Sequence, residues 1–319
     1  MSRRIAGLEV GPLLYCPANM HSHIADALRQ QRIPRPFSLA FCLEDTVREE
    51  AVEEAERMLY HTLSQLAAAA REEALCLPPV FVRVRSPQQM ETLAEVFSVF
   101  GGLLTGFILP KFFTENCGAY LRTIREIGRE GDYCYMPILE APAMIDLSRR
   151  YDGLAQVRDR LEEVSDRILN IRVGGNDLCH VFGLRRHVGE TIYDLRPVAA
   201  LLTDIVATFA PRYVVSGPVW EYYAGPGWEE GLRRETQLDL LCGFVGKTVI
   251  HPSQISVVND CLKVSAADCR DAGQILGWDP DSPSLVSSSA GAVRMNEYNT
   301  HSRWAERTLQ LARIYGVKD

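Results

Sequence analysis

No stretch of this 319-residue chain stays apolar for the roughly twenty residues that a membrane-crossing helix needs, so a helical membrane protein is not expected. The opening MSRRIAGLEV carries two arginines without an apolar segment behind them, and a secretory leader is not expected either. Nine cysteines are present, yet none forms a CxxC pair or joins a histidine at zinc-ligand spacing. An odd, scattered set reads as free thiols in a reducing compartment, which makes the cytoplasm the expected location. Basic residues are outnumbered: 34 Lys and Arg face 41 Asp and Glu, for a net charge of −7. With no basic stripe interleaved with aromatics, nucleic acid is not expected as a principal partner. The phosphate loops GxGxxG and GxxxxGK[ST] are missing, as are the Gly-x-Ser-x-Gly elbow and HExxH. His21, His23, His180 and His187 fit no ligand pattern and read as loop or surface residues, and no internal repeat of 20–50 residues interrupts the chain.

What is present is a soluble, globular composition, 47% hydrophobic and 24% charged, long enough to bury a large core. Strand-like and helix-like runs alternate. The strands read as GPLLYCP (11–17), FSLAFCL (37–43), VFVRVR (80–85), GFILPK (106–111), YCYMPILE (133–140), RILNIRV (167–173), RYVVSGP (212–218) and GFVGKTVI (243–250). Helices follow them, one stopped by PRP (34–36), one capped by Thr46, one entered through Ser86-Pro87, one started by Thr114 and one running from about Leu195. Eight β/α units favour a (β/α)8 TIM barrel over an open doubly-wound sheet, which would want one of the missing phosphate loops. Residues 1–265 form the expected barrel domain, and 266–319 a C-terminal helical extension. The Gly/Asp/Pro/Ser-rich 277–291 reads as a linker or a lid, ahead of a strong last helix.

Charged residues collect at the expected C-terminal strand ends: Glu44, Asp45, Arg83, Arg85, Lys111, Glu140 and Asp177. That face of a β/α barrel holds the active site. Glu140 and Asp177 close two β-rich runs a helix's length apart, which suits a hard cation such as Mg²⁺, with helix capping and a turn as the plainer roles. Arg83 and Arg85 alternate with valines and so share a face; each fits a substrate carboxylate or phosphate, or an internal salt bridge to Glu44 or Asp45. Lys111 is a Schiff-base candidate or a fixed cation among the acids. Gly174 and Gly175, next to Asn176, allow close backbone approach to a ligand. His251-Pro252 opens a helix, a structural role.

The ordered set LYCPANM, LEDTV (43–47), FVRVRS (81–86), GFILPK, PILEAP (137–142), GGNDL (174–178), SGP (216–218) and GFVGKTVIHPSQI (243–255) resembles the citrate lyase β-subunit-like branch of the HpcH/HpaI aldolase superfamily. Within it the chain looks most similar to the C–C bond lyases of the TIM-barrel fold. The resemblance implies Mg²⁺ ligands at Glu140 and Asp177, and a substrate-carboxylate arginine at Arg83. It implies an acidic pair at Glu44 and Asp45, and the lysine after Leu-Pro at Lys111. It also implies a homotrimer or hexamer whose C-terminal segment, RMNEYNTH (294–301), reaches over a neighbour's site with an acid at Glu297. Departures fall at Cys42, Arg85, Ala18, Ser216 and Asn176, and bear on the substrate and on coenzyme A binding. With Arg185 and Arg186, Arg85 points to an anionic or phosphorylated substrate.

The expected activity is thus a Mg²⁺-dependent carbon–carbon lyase for a small carboxylate or acyl thioester, with Arg83 anchoring it beside Arg85, Gly174, Gly175 and Asn176. The base is Glu44, Asp45 or Glu297. The alternatives are a metal-independent aldolase using Lys111 and a non-catalytic ligand-binding subunit of a larger assembly.

Overall fold

The computed structural model describes residues 5–20, 23–72, 75–128, 132–279 and 281–319; His21 lies outside them. Eight parallel strands run in sequence order: β1 (Pro12–Pro17), β2 (Ser38–Cys42), β3 (Val80–Arg83), β4 (Leu104–Leu109), β5 (Cys134–Leu139), β6 (Ile171–Val173), β7 (Val215–Ser216) and β8 (Lys247–Val249). β1 pairs with both β2 and β8. The circle closes where Val245 N donates to Val215 O (2.7 Å), Gly217 N donates to Gly246 O (3.0 Å) and Gly217 bridges Lys247. This is the expected (β/α)8 TIM barrel.

The strands are shorter than their apolar runs, since residues past each end turn outward into loops. Arg85 is the instructive case. β3 stops at Arg83, so the alternation that would put Arg83 and Arg85 on one face ends before Arg85. Thr46 does not cap a helix; its hydroxyl donates back to Cys42 O (3.3 Å), a local bond that competes with helical geometry. The helix that follows begins only at Val52 and runs to Glu72, burying Ala55, Leu59, Leu63 and Leu66 on one face. Ser86 does cap the helix at Pro87–Phe97, accepting from Gln89 N (3.1 Å).

The barrel interior is lined unevenly. Val10, Leu13, Ala40, Phe81, Ile108, Met136 and Ile138, from β1–β5 and the approach to β1, form an apolar cluster. On the remaining arc the inward positions are polar. Arg172 pairs with inward Ile138, Ser216 with Arg172, and Thr248 with inward Leu13. Asn170 Nδ2 donates to Ser216 Oγ (3.0 Å), which donates to Val245 O (2.9 Å).

Outside the barrel at the closure, Lys247 is fully buried and its Nζ donates to Glu235 (2.9 Å) and Asp239 (2.6 Å) of the helix α8 at Trp228–Cys242. Arg186 is buried against Glu235 (3.1 Å), and Tyr193 donates to Asp239 (2.7 Å). Two buried cations thus balance two buried anions, and the 179–194 insertion is tied to the last barrel strand.

The chain divides into two compact units, residues 1–258 and 259–319. The division falls inside the helix at Ser253–Leu262. The second unit contains helices at Ala266–Leu276 and Tyr298–Tyr315 and a hairpin of Val286–Ser288 with Met295–Glu297. Among the described residues no helix is long and apolar enough to cross a membrane.

Lys247→Met would leave Glu235 and Asp239 buried without their cation, a loss of about 3–5 kcal/mol. Urea unfolding of the two proteins should show it; an unchanged midpoint would mean that the closure does not depend on this charge.

Candidate active site

Four strand ends meet at the C-terminal mouth of the barrel. Leu43 N donates to Arg83 O (3.0 Å), prolonging the β2–β3 ladder and placing Glu44 and Asp45 above Arg83. Arg83, the last residue of β3, is buried, and its Nη2 donates to Asp45 Oδ2 (2.8 Å) and Glu140 Oε1 (2.9 Å). Glu44 Oε2 lies 2.7 Å from the same nitrogen. A guanidinium Nη carries only two hydrogens, so charge rather than a third hydrogen bond holds Glu44 there.

Lys111 follows β4 in a left-handed conformation (φ 49°), which costs a non-glycine residue about 1 kcal/mol or more. The turn directs its backbone N–H at Glu140 Oε1 (3.0 Å) while its ammonium contacts Glu44 and reaches Asp45 (3.0 Å). Asn116 braces it, donating to Lys111 O (3.0 Å) and accepting from Phe113 N (3.0 Å). No sequence pattern singles Asn116 out, because its bonds are local to one loop.

Glu140, directly after β5, is 2% exposed. Burial pushes its carboxyl up to about 8; Arg83 opposes this and Asp177 adds to it. Oε1 is engaged by Arg83 and Lys111, whereas Oε2 lies over Gly174, where a Cβ would fall 1.9 Å from it. Residue 174 must therefore be glycine. A Cβ at Gly175 would meet Pro218 and Ile192 instead, so that glycine serves packing. Asp177 stands half-buried in the first turn of the helix α6 at Gly175–Val181, and Asn176 beside it is exposed.

Burial also raises the Glu44 carboxyl. Asp45 goes the other way: burial pushes it up, but the Glu44 hydrogen bond, Arg83 and Lys111 together bring it to about 2. Lys111 is held above its ordinary value by Glu44 and Asp45 in spite of desolvation, so its amine stays protonated.

Three expected arginines are engaged elsewhere. Arg85 donates to the carbonyls of Leu43 (3.0 Å), Glu44 (3.1 Å) and Val47 (3.1 Å) and pairs with Glu49 (2.5 Å), so it orders the loop after β2. Arg186 is spent on Glu235, while Arg185 pairs with Glu221 (3.3 Å) near the surface. Glu297 belongs to the second compact unit, at the head of its last helix, where its N–H meets His301 Nδ1 (3.0 Å).

Four carboxylates, Glu44, Asp45, Glu140 and Asp177, are offset by two cations, Arg83 and Lys111. Among the described residues no group of three or more His, Cys, Asp or Glu forms a metal cage. Mg²⁺ does not require one, since it takes one or two carboxylates and fills its other positions with water or substrate. Glu140 Oε2 over its glycine gap and the half-buried Asp177 fit that donor set.

The family described as the C–C bond lyase of the TIM-barrel fold matches residues 4–317. The chain belongs to that family. This makes it a carbon–carbon lyase, and its barrel agrees with the family's fold. Among solved structures, the lyase is similar to the CitE protein of Mycobacterium tuberculosis in complex with magnesium, acetoacetate and coenzyme A, at 19% identity, over 96% of this chain and 99% of that one, with a TM-score of 0.60. A citrate lyase from Burkholderia xenovorans matches at 14% identity over 99% and 97% of the two chains, TM-score 0.69. RipC from Yersinia pestis matches at 18% identity over 83% and 100%, TM-score 0.57. At these identities the structures support the fold. No curated protein matches the lyase in sequence.

Because Asp45 sits below its ordinary 3.8, it contributes stability above about pH 4 that is lost as the pH falls toward 2. The unfolding-midpoint difference between wild type and Asp45→Asn should shrink across that window; a constant difference would show that the cluster does not hold Asp45 ionised.

Proposed function

We propose that the lyase is Mg²⁺-dependent and acts on a small carboxylate or acyl-thioester substrate, breaking or making a carbon–carbon bond beside a carbonyl. The observation that carries this reading is the Glu140 carboxylate, buried, with one oxygen fixed by Arg83 and Lys111 and the other turned over Gly174 toward the side of Asp177. Glu140 and Asp177 would hold the ion. A Mg²⁺ bound there would supply Lewis-acid stabilisation of the enolate charge that develops as the bond breaks.

The chain's own residues do the rest. Arg83 fixes the orientation of Glu140 and brings positive charge to the place where a substrate carboxylate would lie. Lys111 neutralises Glu44 and Asp45, so that four acids can crowd one mouth. Of the candidate bases, Glu44 has the better claim within its pair, since burial raises its affinity for a proton while Asp45 is held well below neutrality. Glu297 enters only through the family resemblance, which also supports a homotrimer or hexamer; the scattered free thiols support a cytoplasmic location. Magnesium, acetoacetate and coenzyme A in the M. tuberculosis complex favour the same substrate classes. With Arg85 and Arg186 engaged elsewhere, little cationic surface is left for a phosphorylated substrate.

A Lys111 Schiff base is disfavoured by the same geometry, because an ammonium held between two carboxylates is not the neutral amine that chemistry needs. Borohydride treatment with pyruvate should leave Lys111 unmodified; a trapped adduct there would replace the metal reading. Calorimetric Mg²⁺ titration should show binding by the wild type that is lost in both Asp177→Ala and Gly174→Ala, the second because its methyl displaces Glu140. Equal Mg²⁺ affinity in wild type and Asp177→Ala would sink the assignment.

A further inference from the structure

Below the carboxylate cluster lies a cation that the proposed chemistry does not yet use. Arg172 on β6 is 1% exposed and points into the barrel. Its Nη2 donates to Thr248 Oγ1 (2.7 Å), while Nε and Nη1, both buried, meet no hydrogen-bond acceptor. Among the described residues the titratable neighbour that acts on it is the Tyr15 phenol, by charge and by a side-chain hydrogen-bond interaction, and no carboxylate pairs with it. A guanidinium taken out of water in this way is costly unless an anion joins it. The other two arginines described at the mouth are already matched: Arg83 by three acids, Arg85 by Glu49 and loop carbonyls.

Its depth follows from strand register. Arg172 is level with Ile138, one inward-facing position below Glu140, or about 7 Å along the strand. Thr248 is level with Leu13, and Tyr15 is one inward position above it on β1. Tyr15 faces inward, keeps partial exposure and lies beside Arg172. A short substrate engaged at Glu140 and Asp177 would point its far end at this place.

We propose that Arg172, flanked by Tyr15 and Thr248, receives an anionic group at the end of the substrate remote from the reacting carbonyl, and so selects short dicarboxylates over monocarboxylates. Four acids against two cations leave a deficit that one divalent cation fills, so the charges at the mouth are settled without Arg172, which among the described residues is an interior cation still without an anion. The proposal rests on the substrate-class reading above and adds to it the residue that reads the second charge.

The test compares oxaloacetate with 2-oxobutyrate, which replaces only the far carboxylate by a methyl group, in calorimetric titrations of the full chain with saturating Mg²⁺. Wild type should bind oxaloacetate about ten- to a hundredfold more tightly, the size of a charge-assisted hydrogen bond. Arg172→Met should bring that ratio to about one while 2-oxobutyrate and Mg²⁺ affinities stay as they were; Arg172→Lys, which keeps the charge, should retain part of it. If Arg172 merely holds a buried water against the unpartnered Asn170 Oδ1, the methionine variant will keep the full preference, and the proposal falls. It falls equally if wild type shows no preference. Loss of Mg²⁺ binding by wild type would count against the metal reading instead, and the ratio measured without metal would still decide the role of Arg172.

Discussion

One guanidinium organises the mouth of this barrel. Arg83 lies where β3 ends and draws acids from two other elements, Glu44 and Asp45 after β2 and Glu140 after β5, onto a single nitrogen. Without it, three carboxylates would face one another in a space with little water, and each would have to take up a proton or turn away. Lys111 adds a second cation from the end of β4, and its left-handed backbone is accepted because it points an N–H at Glu140. The strands supply position, and the two cations allow the acids to occupy it.

The same logic recurs outside the barrel. At the closure, Lys247 and Arg186 face Glu235 and Asp239 with no exposed partner in the set. These four groups fasten the 179–194 insertion to the shortest strands of the sheet, where few backbone bonds are available. Buried charge therefore serves two ends in one fold: at the mouth it prepares a site, and at the seam it ties the 179–194 insertion to the last strand.

Much of this was legible in the chain itself. The alternation of apolar runs and polar helices gave all eight strands, because parallel strands buried on both faces must be nearly continuous in apolar residues. The gathering of Glu44, Asp45, Arg83, Lys111 and Glu140 followed from their placement at strand ends. Arg85 leaves its expected face because alternation says which way a residue faces only while the strand lasts, and β3 stops two residues earlier. The ion pair of Arg186 leaves no local signal because its partner Glu235 lies far away in sequence. Asn116 and Tyr15 left no signal. Arg172 left one, a charged residue set in the apolar run RILNIRV, whose meaning depends on which face of the strand it occupies.

The uneven lining of the barrel bears on how the chain is put together. The apolar half of the interior comes from strands made first, and the Arg83 cluster, from Glu44 to Glu140, is complete within that half. Asp177 and the polar arc of Asn170, Arg172, Ser216 and Thr248 are synthesised later. An emerging chain can thus collapse around its early strands before the last three are available. The proposed ligand pair, Glu140 and Asp177, draws one carboxylate from each half and is whole only once β6 has docked, so capture of the ion would join the early half of the ring to the late one.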